Sequence, residues 1–327
     1  MATNKDTENN NPSAPTPADN DIAKLTEVTE QDLAEAIIDE YGAKYSKDGK
    51  RLLKGPRNAS LYNIKKGTEI IGNSAFFWCS SLVSITIPPS VTTIGNEAFS
   101  LCGSLASITI PPSVTTIGND AFSSCESLTS ITIPPSVTAI GDSAFSWCKS
   151  LTSITIPPSV TTIDNEAFKG CKSLTSITIP PSVTAIGDSA FGGCESLTSI
   201  TIPPSVRTME GNSFLNWHGH IDINSPYFKY EDGVLVDVEK GILVAFRSNA
   251  ESYTIPPSVT TIGDHAFSSC GSLASVAIPP SVTTIGDNAF SWCESLTSIT
   301  IPPSVTAIGD SAFSWCKSLT SITIPPS

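Results

Sequence analysis

The tripeptide Pro-Pro-Ser begins at Pro88, Pro111, Pro134, Pro157, Pro180 and Pro203, each 23 residues after the last. It resumes at Pro256, Pro279, Pro302 and Pro325 with the same step. A unit this short cannot bury an apolar face alone, so repeats at fixed period must stack into a solenoid. The whole unit reads L-x-S-I-T-I-P-P-S-V-T-x-I-G-[ND]-x-A-F-x-x-C-x-S, and its length lies in the range of leucine-rich repeats.

Each slot has a physical reason. In Leu151 to Ile156, Ile154 and Ile156 alternate with Ser153 and Thr155, the period-two pattern of a half-buried strand. Pro157 and Pro158 lack an N–H donor, end the strand and force a turn. Val160 and Ile163 return the chain to the core. Gly-Asn or Gly-Asp, as at Gly118-Asn119 and Gly141-Asp142, suits a turn with positive φ. Ala144, Phe145 and Cys148 then predict a short helical turn on the convex side. Stacked coils give ladders of like residues and one parallel sheet on the concave face, with rungs ~4.8 Å apart.

The string I-P-x-x-V-x-x-I-G-x-x-A-F-x-x-C-x-x-L resembles the BspA-type (Treponema-type) leucine-rich repeats of bacterial and protist surface proteins. The resemblance runs from Gly67 to Ser327. It implies a non-enzymatic solenoid of adhesin or surface-antigen type, without catalytic residues; the residues themselves suggest no metal site and no cofactor.

The period fails near residue 210, where Glu210 stands in the glycine slot and Trp217 in the cysteine slot. Thirty extra residues intervene before Pro256. Asp232-Gly233 and Lys240-Gly241 flank short apolar runs there, which predicts a β-hairpin. A fainter copy, Tyr45 to Leu53, precedes the first regular coils. The expected organisation is a polar, disordered tail over residues 1–25 and a helix and hairpin-like cap over 26–66. Repeat block 1 follows over 67–217, then a hairpin-containing insert over 218–252. Repeat block 2 covers 253–327 and ends mid-repeat. Thr29 and Asp32 start the helix, with Leu33, Ile37 and Tyr41 on one side and Gly42 ending it.

Composition excludes several functions. The chain has 31 acidic and 18 basic residues, a net charge of −13 and no basic stripe, so it is not expected to grip nucleic acid. No stretch approaches the ~18 apolar residues of a membrane span. Residues 1–20 carry no apolar segment behind a basic start. An intracellular location is therefore the default, and the cell surface is what the resemblance implies. No phosphate loop or nucleophile elbow occurs, so an enzyme is not expected. Nine cysteines share one slot, as a buried thiol ladder requires, and no disulfide is expected. His218, His220 and Asp222 form the one histidine cluster, read as an exposed loop rather than a metal site; His265 stands alone.

What the solenoid displays is hydroxyl. The candidate binding face consists of Ser107, Ser130, Ser153, Ser176 and Ser199, with Thr109, Thr132, Thr155, Thr178 and Thr201 beside them. The candidate aromatic anchors are Trp78, Trp147, Trp292 and Trp315, each directly before a cysteine on the convex turn. The expected function is a protein-binding or adhesion scaffold, whose partner is a host or extracellular-matrix protein or glycan. The alternatives are a cytosolic interaction scaffold and, more remotely, an ice-binding solenoid using its threonine files. The edge of the last coil predicts either self-association through residues 300–327 or a truncated form of a longer solenoid.

Overall fold

The computed structural model describes residues 24–323. Most of the tail expected over 1–25, and the prolines at 325 and 326, lie outside the described residues.

The described residues wind into a solenoid of about 12 turns with almost no helix. Each regular coil contributes two strands. The Ser-Ile-Thr strand, such as Ser107–Thr109, pairs in parallel and in register with Ser130–Thr132, which pairs likewise with Ser153–Thr155. The second strand, such as Thr93–Ile94, pairs in parallel with Thr116–Ile117. Sequence reading expects one sheet. The second arises because the valine–isoleucine return is itself extended and turns Ile94 inward.

Between the strands, Val91 N donates to Pro88 O at 3.1 Å, closing a turn with the second proline at its favoured position. The following serine fixes this corner to the coil before: Ser113 Oγ donates to Val91 O at 2.6 Å.

The edge carrying phenylalanine and cysteine is not helical, contrary to expectation. It is a run of tight turns in which Ala98 N reaches Gly95 O, Ser100 N reaches Glu97 O and Cys102 N reaches Phe99 O. The intervening amides of Glu97, Phe99 and Leu101 donate to Asn119, Ala121 and Ser123 of the next coil, each at 2.8 Å. A helix would spend all these donors within its own coil; here alternate ones stitch coils together.

Positive φ falls at Glu97 and Leu101, not at Gly95. The glycine answers a different need. A Cβ at Gly118 would lie 2.5 Å from Asn96 Oδ1, the oxygen that accepts the Asn119 amide at 3.0 Å. Asn or Asp supplies that oxygen to the next coil, and a residue without a side chain leaves it the most room. Where Asp164 replaces the glycine, Asn165 N still reaches Asp142 Oδ1 at 3.0 Å, so the corner survives one exception.

The core is a set of ladders. Phe76, Phe99, Phe122, Phe145, Phe168, Phe191 and Phe214 stack with centroids from 5.1 to 6.1 Å apart. Seven of the nine cysteines are buried and two, Cys270 and Cys316, are half-buried. Cys102, Cys125, Cys148, Cys171 and Cys194 each donate to the phenylalanine carbonyl 26 residues earlier, at 3.2 Å.

At the N-terminal end the helix is one short turn, Glu30–Ala34, closed by a Thr29–Asp32 capping box, and it buries no residue. Gly42 does not end it. Ile37–Ile38 is already a strand, paired antiparallel with Lys44–Tyr45, because two β-branched residues favour extension. Gly42, with φ of 85°, serves the turn between these strands. Lys44–Tyr45 then pairs with Arg51–Lys54, which runs parallel to Ile70–Ile71 of the first full coil. Strands therefore form much of this end, and beside them Thr26, in a separate helical stretch at 24–26, is buried and accepts from the Asn73 amide at 2.8 Å.

The insert begins as one more rung: His220–Ile223 pairs in parallel with Ser199–Ile202. Phe228–Glu231, Val234–Asp237 and Ile242–Phe246 then form an antiparallel meander, and Ile242–Phe246 passes into parallel pairing with Thr261–Ile262. Phe246 takes the phenylalanine slot, stacking on Phe267 at 5.0 Å. The second core runs from there through Phe290 to Phe313.

Candidate interaction surface

Alternation along each Ser-Ile-Thr strand buries the isoleucine and turns both hydroxyl residues outward. Ile108, Ile131 and Ile154 are buried, while Ser107, Thr109, Ser130, Thr132, Ser153 and Thr155 are exposed. Ser176, Thr178, Ser199 and Thr201 are exposed as well. Parallel in-register pairing lines the serines up in one file and the threonines in another. A bridge from Ser153 to Ser176 carries the file onward. The structure thus brings the ten hydroxyl residues singled out from the sequence onto one surface.

Within the described residues, none of these ten hydroxyls has an intramolecular hydrogen-bond partner. Their neighbours differ. Thr129, Thr152 and Thr175, one position earlier on the strand, donate to the carbonyls of Ala106, Thr129 and Thr152 at 3.2 to 3.3 Å. That third file is committed to holding coils together and is not visible as such in the sequence. The serine and threonine files beside it remain available to accept and donate outward.

The face ends on a charged rung. His220 pairs with Ser199 and Asp222 with Thr201, so the histidine and carboxylate stand in the two hydroxyl slots. His220 Nε2 lies 3.0 Å from Asp222 Oδ1. No three metal-ligating side chains converge among the described residues. His265 sits elsewhere, its Nε2 3.9 Å from Asp188 Oδ2 across the insert. Asn212 Nδ2 donates to the His265 carbonyl at 3.2 Å in the same junction.

The four tryptophans ahead of cysteines lie on the turn edge, away from the hydroxyl files. Each has positive φ and an exposed ring, Trp78 at 69 % and Trp315 at 62 %. Three of them also lie against neighbouring coils. Trp292 stacks on Trp315 with centroids 5.0 Å apart, and Trp147 covers Gly170, where a Cβ would come within 2.7 Å of the indole. Trp292 and Trp315 thus form one stacked pair on adjacent coils, while Trp78 and Trp147 stand three coils apart from each other and away from that pair. Trp217 is different: it is buried, and its Nε1 donates to Leu197 O at 2.7 Å.

A feature the sequence reading missed lies in the N-terminal cap. Residues 44–66 hold eight basic residues and one acidic residue, Asp48, in a chain that is otherwise strongly acidic. A running charge count would have found it; the whole-chain total hides it.

Comparison with known proteins agrees with this architecture. The family described as BspA type Leucine rich repeat region matches in 6 copies over residues 54–174, 138–228 and 245–327. A leucine-rich cell surface protein from Faecalibacterium prausnitzii is 29% identical, with a TM-score of 0.61 over 89% of this chain and 95% of that one. A leucine-rich repeat protein from Eubacterium ventriosum is 26% identical, with a TM-score of 0.58 over 86% of this chain and 69% of that one. One from Bacteroides ovatus is 27% identical, with a TM-score of 0.50 over 89% and 79%. No curated protein matches the chain. No helix among the described residues is long and apolar enough to cross a membrane.

Proposed function

This chain belongs to the BspA-type leucine-rich repeat family, and we propose that it is a non-enzymatic adhesion scaffold that binds a protein through its Ser-Ile-Thr face. Repeats of this family generally act as protein-interaction or surface-associated scaffolds. The similar chain from Faecalibacterium prausnitzii is itself described as a cell surface protein, which supports an extracellular or matrix partner here.

The observation that carries the reading is the row of ten exposed hydroxyls without partners in the described chain, six of them in register on three paired strands. A partner strand or loop lying across the rungs meets a donor and an acceptor on every coil. Because the surface is uncharged there, neither partner loses much ion solvation on contact.

Buried native thiols make a direct test practical. In a background with Cys270→Ala and Cys316→Ala, the remaining cysteines are buried, so a Thr155→Cys variant labels selectively with a bulky maleimide. Labelling at residue 155 is expected to abolish binding to whichever immobilised matrix protein the unlabelled chain captures. The same label at Ser124→Cys, on the turn edge, is expected to leave binding intact. Blocking from residue 124 alone would move the site to the turn edge.

A further inference from the structure

We propose that the N-terminal cap carries a second binding site, a cationic cleft that takes an anionic carbohydrate, one bearing uronate or sulfate groups. A cleft of about 550 Å³ opens beside the first hairpin, lined among others by Tyr41, Lys44, Lys54, Arg57 and Asn58. No carboxylate lines it.

The cations are placed against their own electrostatic interest. Lys44 and Lys54 face each other directly across antiparallel strands, an arrangement in which like charges destabilise a sheet. The pairing shifts register between Lys44 and Tyr45, an irregularity of the sort that re-aims side chains beside binding sites. Other cations of the cap are engaged: Lys47 pairs with Glu35, Lys50 with Glu69 and Arg51 with Asp32. Lys65 lies over the Tyr45 ring. Lys54 reaches only a carbonyl, that of Ser74 at 3.1 Å, and Lys44 and Arg57 have no carboxylate partner among the described residues. Asp39 makes no ion pair with any of the three among the described residues. Its oxygens accept from the Tyr62 hydroxyl at 2.6 Å and the Ala43 amide at 2.8 Å. Three cations converging on an open cleft, two of them opposed, form a site that an anion completes.

The aromatic wall points to sugar. Tyr41 is 62 % exposed and held edge-on by Tyr62 at 5.9 Å, a fixed ring on which the apolar face of a pyranose can stack. Asn58 adds a donor and acceptor suited to ring hydroxyls. The cleft is separate from the hydroxyl files, so this site stands or falls independently of the scaffold reading.

The test titrates the full chain calorimetrically with a uronate oligosaccharide, a sulfated oligosaccharide, a neutral oligosaccharide and oligoglutamate of matching charge. At least one anionic sugar is expected to bind, and the arm that does distinguishes carboxylate from sulfate. The neutral sugar is expected not to bind and oligoglutamate to bind at least about tenfold more weakly. Tyr41→Ala is expected to weaken sugar binding, and Lys44→Glu to abolish it while raising the melting temperature, because the new carboxylate faces Lys54. A loss of binding without loss of fold is therefore visible in one variant. Equal affinity for oligoglutamate, indifference to Tyr41→Ala, or no binding of either anionic sugar overturns the proposal.

Discussion

Arg247 caps Trp217: its guanidinium carbon stands 4.7 Å from the indole centroid while Nη2 donates to the Trp217 carbonyl at 2.9 Å. The same nitrogen reaches Gly219 O at 2.8 Å, and Nη1 reaches the Tyr230 hydroxyl at 3.1 Å. Burial pushes the guanidinium pKa down, and the Tyr230 contact opposes that. One side chain thus joins the last coil of the first block to the meander that restarts the second. It replaces the ring-on-ring contact the phenylalanine ladder lacks between Phe214 and Phe246.

Arg247→Ala removes charge-assisted hydrogen bonds worth about 1.5–3 kcal/mol each and strands two carbonyls in the junction. Calorimetry is expected to show the single unfolding transition of the parent split into two, one for each core. A lower melting temperature with one sharp transition would show that the ladders couple without this residue.

The thiols make stability depend on alkaline pH. Burial pushes Cys102, Cys148, Cys194 and Cys270 up to about 12. The folded chain therefore holds these protons when the unfolded chain releases them. The stabilisation is complete below about pH 9 and is lost as pH rises toward 12. Each unit of pH above the unfolded value costs about 1.4 kcal/mol per buried thiol. Unfolding free energies from denaturant titrations are expected to be lower at pH 10 than at pH 7.5, by about 1.4 kcal/mol per buried thiol. Replacing Cys148 by Ala is expected to reduce that difference. A flat profile would mean that water reaches the thiol ladder.

The sequence made the solenoid legible because one constraint repeats: Ile154, Leu151 and Phe145 must each find their counterpart one coil away, whatever the details of the turns. It also placed Ser153 and Thr155 outward, since alternation decides that locally. The turns were harder. Gly118 reads as a residue needed for positive φ, but its role is to admit Asn96 Oδ1 from the neighbouring coil, a contact between residues 22 apart. The helical turn expected around Phe145 gives way to stitched turns because its amides have partners in the next coil, which no local pattern reveals. The opposition of Lys44 and Lys54 likewise depends on strand register. Trp217 occupies a cysteine slot in sequence; that it is fixed by Arg247, thirty residues on, needs the fold.

The most direct test of the central claim compares equilibrium affinities of two variants for the matrix protein the parent binds best. In the first, Thr132, Thr155 and Thr178 all become Glu; these positions are exposed, and like-charged neighbours cost about 0.2–1 kcal/mol per pair, so the solenoid stays folded. In the second, Trp78 and Trp147 become Ser. The account predicts that the glutamates weaken binding by at least about a hundredfold, with circular dichroism unchanged, while the tryptophan changes leave affinity within about threefold of the parent. Full affinity in the folded triple variant would contradict it.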